Sequence, residues 1–341
     1  MTLRVGFVGM GRMGLAHYAI LNTHPEVTPV ALCDQSKQVL RILARKGEVA
    51  TFTDVDRMLA EAPLDCLVIS TPSDSHAELI AKALERGLHV FVEKPFCLLP
   101  DDGKRVLGLL DGKGLVNQVG YVNRFNDVFL EVKRLLDGKV IGPIDHFKFE
   151  MYGRTVTRDQ TGGWRAEHAK GGGCMYEFAS HCIDLVNYLV GPPERVTGTL
   201  LHSIVSEKVE DVVSSSLLYE GGCCGTVLVN WCDPTFRKPS NKVELLGERA
   251  KIVADKYSYR VYLEEERADL GMVKGWNTRY VTDIAQGVRF YLRGNEFSRQ
   301  LDHFVDCIQG RAERNICSFR DGHETDRVIH EMFEDARGGV R

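Results

Sequence analysis

Three polar side chains share one face of a predicted helix that follows a run of glycines. The glycines at 171–173 lead into a stretch where Glu177, His181 and Asp184 are spaced four and three residues apart. Residues at these spacings are neighbours on the surface of an α-helix. Histidine titrates near neutral pH and suits proton transfer to or from a hydroxyl group. A nearby carboxylate favours the protonated imidazole and orients the ring. We therefore interpret His181 as a candidate acid or base assisted by Glu177.

Two other interpretations of the same three side chains remain open. They could form a buried hydrogen-bonded network without chemistry, or they could ligate zinc. Zinc is the weaker alternative, because neither a cysteine nor a second histidine lies nearby at a typical ligand spacing. We therefore predict no metal at this position.

A lysine at the end of a predicted strand is the second candidate for chemistry. The sequence Phe-Val-Glu-Lys-Pro at 91–95 places Lys94 after a short apolar run. Loops at the carboxyl ends of parallel strands face the ligand crevice. The bond from Lys94 to Pro95 could be cis, which would aim the lysine through a tight turn. An ordinary surface lysine is the alternative, and we predict instead a catalytic role for Lys94.

A glycine-rich motif near the N-terminus predicts a dinucleotide site. The G-x-G-x-x-G pattern at 9–14 follows a predicted strand and opens a predicted helix. Its glycines permit a tight turn, close approach of a pyrophosphate and close helix packing, and the helix N-terminus attracts phosphate. The residues predicted to contact this cofactor are Gly9, Gly11, Arg12, Met13 and Gly14.

An acidic residue at the end of the second predicted strand indicates which dinucleotide is bound. Asp34 follows Gly14 by twenty residues, the spacing at which a carboxylate accepts hydrogen bonds from the adenosine ribose. The carboxylate repels the 2′-phosphate of NADP, although Ser36 and Lys37 could partly compensate. The sequence therefore predicts NAD, with NADP possible. A helix cap at Asp34 and a plain glycine turn form the alternative.

The loops after two further strands complete the predicted cofactor site. Thr71 and Pro72 follow one strand, and Glu93 with Lys94 follows another. A turn and helix cap is the alternative near Thr71. His76 lies in the next helix, where packing is its more common role, and we include it as a candidate cofactor contact.

Length and composition limit the classes of protein to which the chain can belong. The 341 residues suggest two domains at roughly 150 residues each. The chain is 44% hydrophobic and 26% charged, with a formal net charge of −4. These values disfavour disorder and a basic surface for nucleic acid. No apolar run approaches the roughly 18 residues of a membrane helix, and no signal peptide is recognisable. The ten cysteines form no C-x-x-C pair, which is typical of reduced thiols in the cytoplasm. We therefore predict a cytoplasmic protein without a nucleic-acid or membrane partner.

The first 122 residues predict an α/β Rossmann domain. Short apolar runs alternate with helical patterns, as expected for parallel strands joined by crossover helices. The predicted strands are 4–8, 27–33, 66–70, 89–92 and 115–121, and the predicted helices are 13–22, 36–46, 55–60, 75–86 and 100–110.

Residues 123–341 predict an α+β domain with an open, mostly antiparallel sheet. After two helices, several strands follow without intervening helices, and two more helices end the chain. The predicted helices are 125–137, 173–190, 296–309 and 322–336, and the predicted strands are 144–152, 196–206, 212–219, 225–231, 242–246, 251–254 and 257–263.

Together the motifs resemble the glucose–fructose oxidoreductase, inositol dehydrogenase and rhizopine-catabolism (Gfo/Idh/MocA) family. The resemblance rests on the motif at 9–14, on Glu-Lys-Pro at 93–95 and on Glu-x-x-x-His-x-x-Asp at 177–184. It implies a Rossmann domain and a C-terminal domain whose sheet builds dimers or tetramers. It also implies that Lys94 contacts substrate and nicotinamide, and that His181 moves the proton. The chain departs from the family pattern at Glu177, where Asp is usual, and at Ala179, where glycine is frequent. The first departure leaves open whether Glu177 touches substrate or only orients His181.

The resemblance implies further substrate contacts in the second domain. Arg124, Trp164 and Arg165 are the stronger candidates beside Lys94, Glu177, His181 and Asp184. Tyr152, Arg154 and Arg293 are weaker. Arginines at 154, 158 and 165 could meet a phosphate or carboxylate.

The resemblance implies an oxidoreductase that transfers a hydride between nicotinamide and a secondary alcohol or ketone carbon. The substrate would be a sugar, a sugar derivative or a cyclitol, with His181 as acid or base and Lys94 assisting. Three alternatives remain: a nucleotide-sugar dehydrogenase or ketoreductase, an NAD-dependent glycosidase, and a non-catalytic NAD-binding regulator. The expected assembly is a homodimer or homotetramer.

Overall fold

The protein divides into two compact units. The computed structural model describes residues 2–44, 49–157 and 163–338. Unit 1 comprises Met1–Val122 and Gly287–His323, and unit 2 comprises Asn123–Gln286 and Glu324–Arg341. Each unit has its own hydrophobic core.

Unit 1 alternates strands and helices from its first strand to its sixth. The strands are β1 (Leu3–Val8), β2 (Val27–Cys33), β3 (Ala50–Phe52), β4 (Cys66–Ile69), β5 (His89–Val92) and β6 (Asn117–Val119). The helices are α1 (Arg12–Leu21), α2 (Lys37–Leu43), α3 (Val55–Glu61), α4 (His76–Glu85), α5 (Pro100–Leu110) and, from the later segment, α9 (Asn295–Ile308).

The six strands of unit 1 form one parallel sheet in the order β3-β2-β1-β4-β5-β6. The order reverses direction between β1 and β4, which is where ligands bind in doubly wound sheets. All residues of β4 are buried, and its sequence Cys-Leu-Val-Ile has no polar alternation. This pattern is typical of a strand covered on both faces.

Residues 287–323 pack in unit 1, whereas the sequence interpretation placed everything from 123 onward in a second domain. Leu301, Phe304 and Val305 of α9 are buried in the same cluster as Phe7 and Phe91. Arg289 adds polar contacts, donating hydrogen bonds to the carbonyl of Ile20 and the hydroxyl of Thr23. The segment therefore supports α1 from a position more than 260 residues later in the chain.

Unit 2 contains one large sheet and the helices that cover one of its faces. The strands are β7 (Ile144–Tyr152), β8 (Arg195–His202), β9 (Val212–Leu218), β10 (Cys224–Asn230), β11 (Ser240–Gly247), β12 (Ala250–Asp255), β13 (Ser258–Leu263) and β14 (Gly275–Tyr280). The helices are α6 (Asp127–Asp137), α7 (Ser180–Leu189), α8 (Val281–Ile284) and the part of α10 (Phe319–Gly338) from residue 324 onward.

The eight strands follow the order β14-β13-β12-β11-β7-β10-β9-β8. β7 and β10 pair in parallel, and the other neighbours are antiparallel. Buried positions alternate with more exposed ones, as in β10. The sheet therefore presents one face to the core and one away from it. The predicted fold class, a Rossmann domain followed by an α+β domain with a mostly antiparallel sheet, is confirmed.

The predicted continuous helix at 173–190 is two segments with different hydrogen bonding. Met175–Ala179 is a π-helix and Ser180–Leu189 is α-helical. Single π-turns inside α-helices occur frequently at functional sites. The wide turn contains Glu177 and ends two residues before His181, and these are two residues for which the sequence predicts chemistry.

Among the described residues, no helix is both long enough and apolar enough to cross a membrane. The ten cysteines all lie within the described ranges, and none of them forms a disulfide there. Burial raises the pKa of the Cys33 thiol to about 11 and that of Cys182 to about 12, so both remain protonated at neutral pH.

Candidate functional site

The glycine-rich loop after β1 has the geometry that close approach of a phosphate requires. Gly9 has φ +86°, and a Cβ there would lie 2.7 Å from the carbonyl oxygen of Ser70. A Cβ on Gly14 would lie 1.8 Å from the carbonyl oxygen of Gly9, so only glycine permits α1 to begin this close to β1. Gly11, in contrast, has open space above its Cα. The loop is crowded by protein at Gly9 and Gly14 and open to a ligand at Gly11.

The N-terminus of α1 is suited to a bound anion. Gly11 is its N-cap residue, no side chain caps it, and its first turn contains no acidic residue. No acidic side chain in the first turn of α1 therefore offsets its amide dipoles, which favours a phosphate group there. Arg12, the first residue of α1, adds a positive charge.

Asp34, at the end of β2, organises the backbone around the loop. Its Oδ2 accepts a hydrogen bond from Met10 N at 2.6 Å, and its Oδ1 accepts one from Ser36 N at 2.7 Å. The carboxylate is half-buried. Asp34 is therefore fixed beside the glycine-rich loop, as the predicted ribose contact requires.

The loop after β4 is built around a buried histidine. His76 is fully buried, with Nδ1 2.8 Å from the carbonyl oxygen of Pro95 and Nε2 3.1 Å from that of Thr71. Burial lowers the pKa of His76. Thr71 Oγ1 lies 2.7 Å from Ser75 Oγ. His76 therefore joins the loop after β4 to the loop after β5, and its predicted contact with the cofactor stays a prediction.

Glu93 precedes Lys94 and pairs with a histidine on α1. The Oε1 of Glu93 lies 2.6 Å from Nε2 of His17, which is fully buried and packs edge-on against Phe91. The Oε2 of Glu93 accepts a hydrogen bond from Lys94 N at 3.3 Å. The peptide from Lys94 to Pro95 is cis. Glu93 thus connects the backbone of the predicted catalytic lysine to the helix that begins the dinucleotide site.

The residues of unit 1 fit a bound NAD. The open backbone at Gly11, the uncapped N-terminus of α1 and the carboxylate of Asp34 lie where the order of the parallel strands reverses. These are the elements that bind pyrophosphate and ribose in a Rossmann fold.

In unit 2 the glycine run brings a tryptophan and an arginine to the start of the predicted catalytic helix. A Cβ on Gly172 would lie 2.4 Å from the carbonyl oxygen of Arg165, so only glycine allows this contact. Arg165 donates a hydrogen bond from Nε to Glu177 Oε2 at 3.3 Å, and its guanidinium lies 4.5 Å from the ring centre of Trp164. The structure therefore assembles Trp164, Arg165 and Glu177, while His181 is half-buried one turn later.

Arg124 and Asp184 form a buried ion pair in unit 2. Arg124 Nε lies 3.0 and 3.1 Å from the two carboxylate oxygens, and Nη2 lies 2.8 Å from Oδ1. The side chains are 3% and 0% exposed. The guanidinium also lies 5.2 Å from the ring centre of Tyr188. The pair fixes α7 to the turn at Val122–Phe125, and direct contacts of Arg124 and Asp184 with substrate stay predictions.

The weaker candidates for substrate contact do not all belong to the same unit. Tyr152 donates a hydrogen bond to Glu150 and stacks on Phe236. Arg154 is exposed on unit 2. Arg293 belongs to unit 1, where burial and the charge of Arg12 lower its pKa. Arg158, the remaining member of the predicted arginine cluster, lies outside the described residues.

Two buried residues beside the candidate sites were missed by the sequence interpretation. One is His17, which pairs with Glu93, and the other is Glu210, which contacts the start of the π-helix. His17 lies on α1, five residues after Arg12, where a helical pattern predicts only packing. Glu210 is followed by Asp211, and an acidic pair in a turn before a strand normally indicates solvent exposure.

The fold and the loop after β1 define a two-unit protein with a Rossmann dinucleotide-binding domain. Residues 3–121 match the family model described as "Oxidoreductase family, NAD-binding Rossmann fold", and residues 129–253 match the "GFO/IDH/MocA C-terminal domain". The chain belongs to the GFO/IDH/MocA family of NAD-binding oxidoreductases. The predicted family, enzyme class and cofactor are confirmed.

The relatives of the chain include two inositol dehydrogenases. It is 26% identical over 315 residues to scyllo-inositol 2-dehydrogenase (NAD(+)) of Bacillus subtilis, with 90% of this chain and 86% of the relative covered. It is 29% identical over 201 residues to inositol 2-dehydrogenase of Rhizobium meliloti, with 58% of each covered.

Solved structures share the fold along almost the whole chain. Levoglucosan dehydrogenase in complex with NADH and levoglucosan has a TM-score of 0.86 at 21% identity, with 99% of this chain and 98% of that chain covered. The WlbA dehydrogenase of Bordetella pertussis, in complex with NADH and UDP-GlcNAcA, has a TM-score of 0.82 at 23% identity, with 100% and 98% covered.

Proposed function

We propose that the protein is an NAD-dependent dehydrogenase that oxidises a secondary alcohol of a sugar, sugar derivative or cyclitol. The observation that supports this proposal best is that three predicted site segments lie at one edge of the parallel sheet in unit 1. The loop after β1, the loop after β4 and Lys94 after β5 all follow the carboxyl ends of parallel neighbours. The ammonium group of Lys94 therefore belongs to the same edge of the sheet as the dinucleotide site, where it can hydrogen-bond a substrate oxygen.

The roles of the residues follow from their chemistry. Gly11, the N-terminus of α1 and Asp34 would hold NAD, which supplies the hydride acceptor when bound. His181 removes the proton of the substrate hydroxyl, and Lys94 hydrogen-bonds the same oxygen and stabilises its developing negative charge. Glu177, restrained by Arg165, orients His181 or a substrate hydroxyl.

The named relatives narrow the substrate class that should be tested first. Both inositol dehydrogenases among them act on a polyol ring according to their names. We propose a cyclitol or a free sugar as the substrate, with a nucleotide-linked sugar as the second candidate. The exposed Arg154 supports this second candidate, since its guanidinium suits a diphosphate.

We also propose a homodimer or homotetramer, assembled through the face of the unit 2 sheet that lies away from the core. Strands β7, β10 and β11 alternate between buried residues and more exposed ones, so within the described part of the chain that face is at least partly accessible. A cytoplasmic location is proposed from ten cysteines that form no disulfide in the described ranges.

A substrate panel tests the proposed function. The purified protein is mixed with NAD and, separately, scyllo-inositol, myo-inositol, levoglucosan, free hexoses and UDP-linked sugars, and NADH is followed at 340 nm. We expect NADH with at least one cyclitol or free sugar, and none when NAD is omitted.

The other outcomes of the panel identify the alternatives. NADH with UDP-linked sugars only would favour the nucleotide-sugar enzyme. Release of an aglycone from aryl glycosides without net NADH would indicate a glycosidase. NAD binding without turnover of any compound would support the non-catalytic regulator.

A further inference from the structure

A buried carboxylate contacts the backbone of the helix that carries the proposed acid–base residues. Glu210 lies two residues before β9 and is 4% exposed. Its Oε1 accepts a hydrogen bond from Met175 N at 2.7 Å, and its backbone carbonyl accepts one from Cys174 N at 3.0 Å. One residue therefore binds two consecutive amides at the start of the π-helix.

The glycine run is shaped around this carboxylate. Gly173 has φ +102°, and a Cβ there would lie 2.5 Å from Glu210 Oε1. A larger residue would push the carboxylate away from Met175 N. The glycine at 173 and the glutamate at 210 are thus complementary parts of one contact.

We propose that Glu210 is a positioning residue that fixes the start of the segment bearing Glu177 and His181. This inference rests on the proposed function, because it assigns importance to where that segment places His181. Cys174 is the N-cap of the π-helix and Met175 is its first residue, and amides at this end of a helix lack partners within the helix itself. The Oε1 of Glu210 supplies an acceptor to the Met175 amide at this end. Losing the contact would let Glu177 and His181 shift together.

Titratable and charged side chains surround Glu210. Its Oε2 lies 3.2 Å from Nε2 of His168, and Asp211 follows it in sequence. Burial, with the nearby charge of Asp211, raises the pKa of Glu210 to about 7. Cys174 and Tyr176 interact electrostatically with Glu210, and Arg337 interacts with His168 and Tyr176. Cys232 and Asp326 interact in turn with Cys174 and Tyr176.

Asp211 has separate partners and does not duplicate this role. It accepts hydrogen bonds from the backbone of Ile204, Val205 and Ser206 and from the Trp231 indole. These contacts organise the loop at 204–206 and the residue that follows β10. The adjacent carboxylates therefore support different parts of unit 2.

Three variants test the proposal by amide hydrogen exchange and by kinetics. Glu210→Ala removes the acceptor, whereas Glu210→Gln keeps an oxygen at the position of Oε1. Ser215→Ala is the matched control, since it removes a buried hydrogen bond to Thr199 at 2.8 Å in the same unit and leaves the helix untouched. Glu210→Asp, too short to reach Met175, replaces Glu210→Ala if that variant does not fold.

We expect exchange in the peptide 174–181 to be at least tenfold faster in Glu210→Ala and to return toward the wild-type rate in Glu210→Gln. With a compound from the panel that the wild-type protein oxidises, kcat should fall at least tenfold in Glu210→Ala, while the Kd for NAD should not change. Ser215→Ala should alter neither. Unchanged exchange and kcat in a folded Glu210→Ala would overturn the proposal. Faster exchange in a protein that oxidises nothing in the panel would leave the helix contact standing and overturn the proposed function.

Discussion

His181→Ala will lower kcat about 10²–10⁴-fold, the usual contribution of a positioned acid or base. The imidazole is the group proposed to take the hydroxyl proton, and alanine leaves the substrate oxygen without an acceptor there. The binding of NAD should not change, because the predicted cofactor contacts belong to unit 1. The measurements are NADH formation at 340 nm and NAD affinity by titration.

The control for this variant is His202→Ala, which removes an exposed histidine from β8 of the same unit. Its kcat should equal that of the wild type. A His181→Ala protein that binds NAD and turns over at the wild-type rate would contradict the assignment. Addition of imidazole offers a further check, since partial recovery of kcat indicates a missing proton acceptor rather than a displaced helix.

Asp184→Asn will lower the free energy of unfolding by about 3–5 kcal/mol, the cost of removing one partner from a buried ion pair. The carboxylate is 0% exposed and accepts three short contacts from Arg124, which is itself buried. The variant removes the carboxylate that pairs with this buried guanidinium. Urea unfolding of the wild type and the variant measures the difference.

The double variant Arg124→Met with Asp184→Leu tests whether the loss in free energy of unfolding comes from a buried charge or from poorer packing. Replacing both residues with apolar ones of similar volume also removes the buried charge of Arg124, so most of the lost stability should return. A loss below about 1 kcal/mol in Asp184→Asn, together with a large rise in KM, would instead indicate that Asp184 contacts substrate directly.

The sequence predicted the order of the elements well wherever hydrophobic patterns were long. β2, β5 and β7 were predicted with the bounds that the structure has. The missed strands lack such a pattern. β3 has only three residues, two of them exposed, and β14 contains no fully buried residue. Their pairing depends on neighbouring strands, which local sequence does not encode.

Long-range packing explains the other differences. The helical period of α9 predicted an amphipathic helix, but only the buried contacts of Leu301 and Phe304 with the core of unit 1 determine its domain. The π-turn at Met175–Ala179 has no recognised sequence signal, and it includes an apolar run that also suits an α-helix.

The candidate site was predictable where a motif has a fixed spacing. Gly9, Gly14 and Asp34 lie as the motif requires, because each is constrained by backbone geometry within one β-α-β unit. The partner of Glu93 was not predictable, since His17 lies 76 residues away in sequence. Buried partners of this kind depend on three-dimensional packing.

Transfer of a hydrogen isotope from substrate carbon to the cofactor tests the central claim most directly. The substrate identified by the panel is prepared with deuterium on the carbon that bears the reacting hydroxyl, and the product NADH is analysed by mass spectrometry and proton NMR. We predict one deuterium at nicotinamide C4 for each molecule oxidised, together with a slower rate if the transfer limits turnover. NADH that contains no deuterium, formed from a fully labelled substrate, would contradict direct hydride transfer from that carbon.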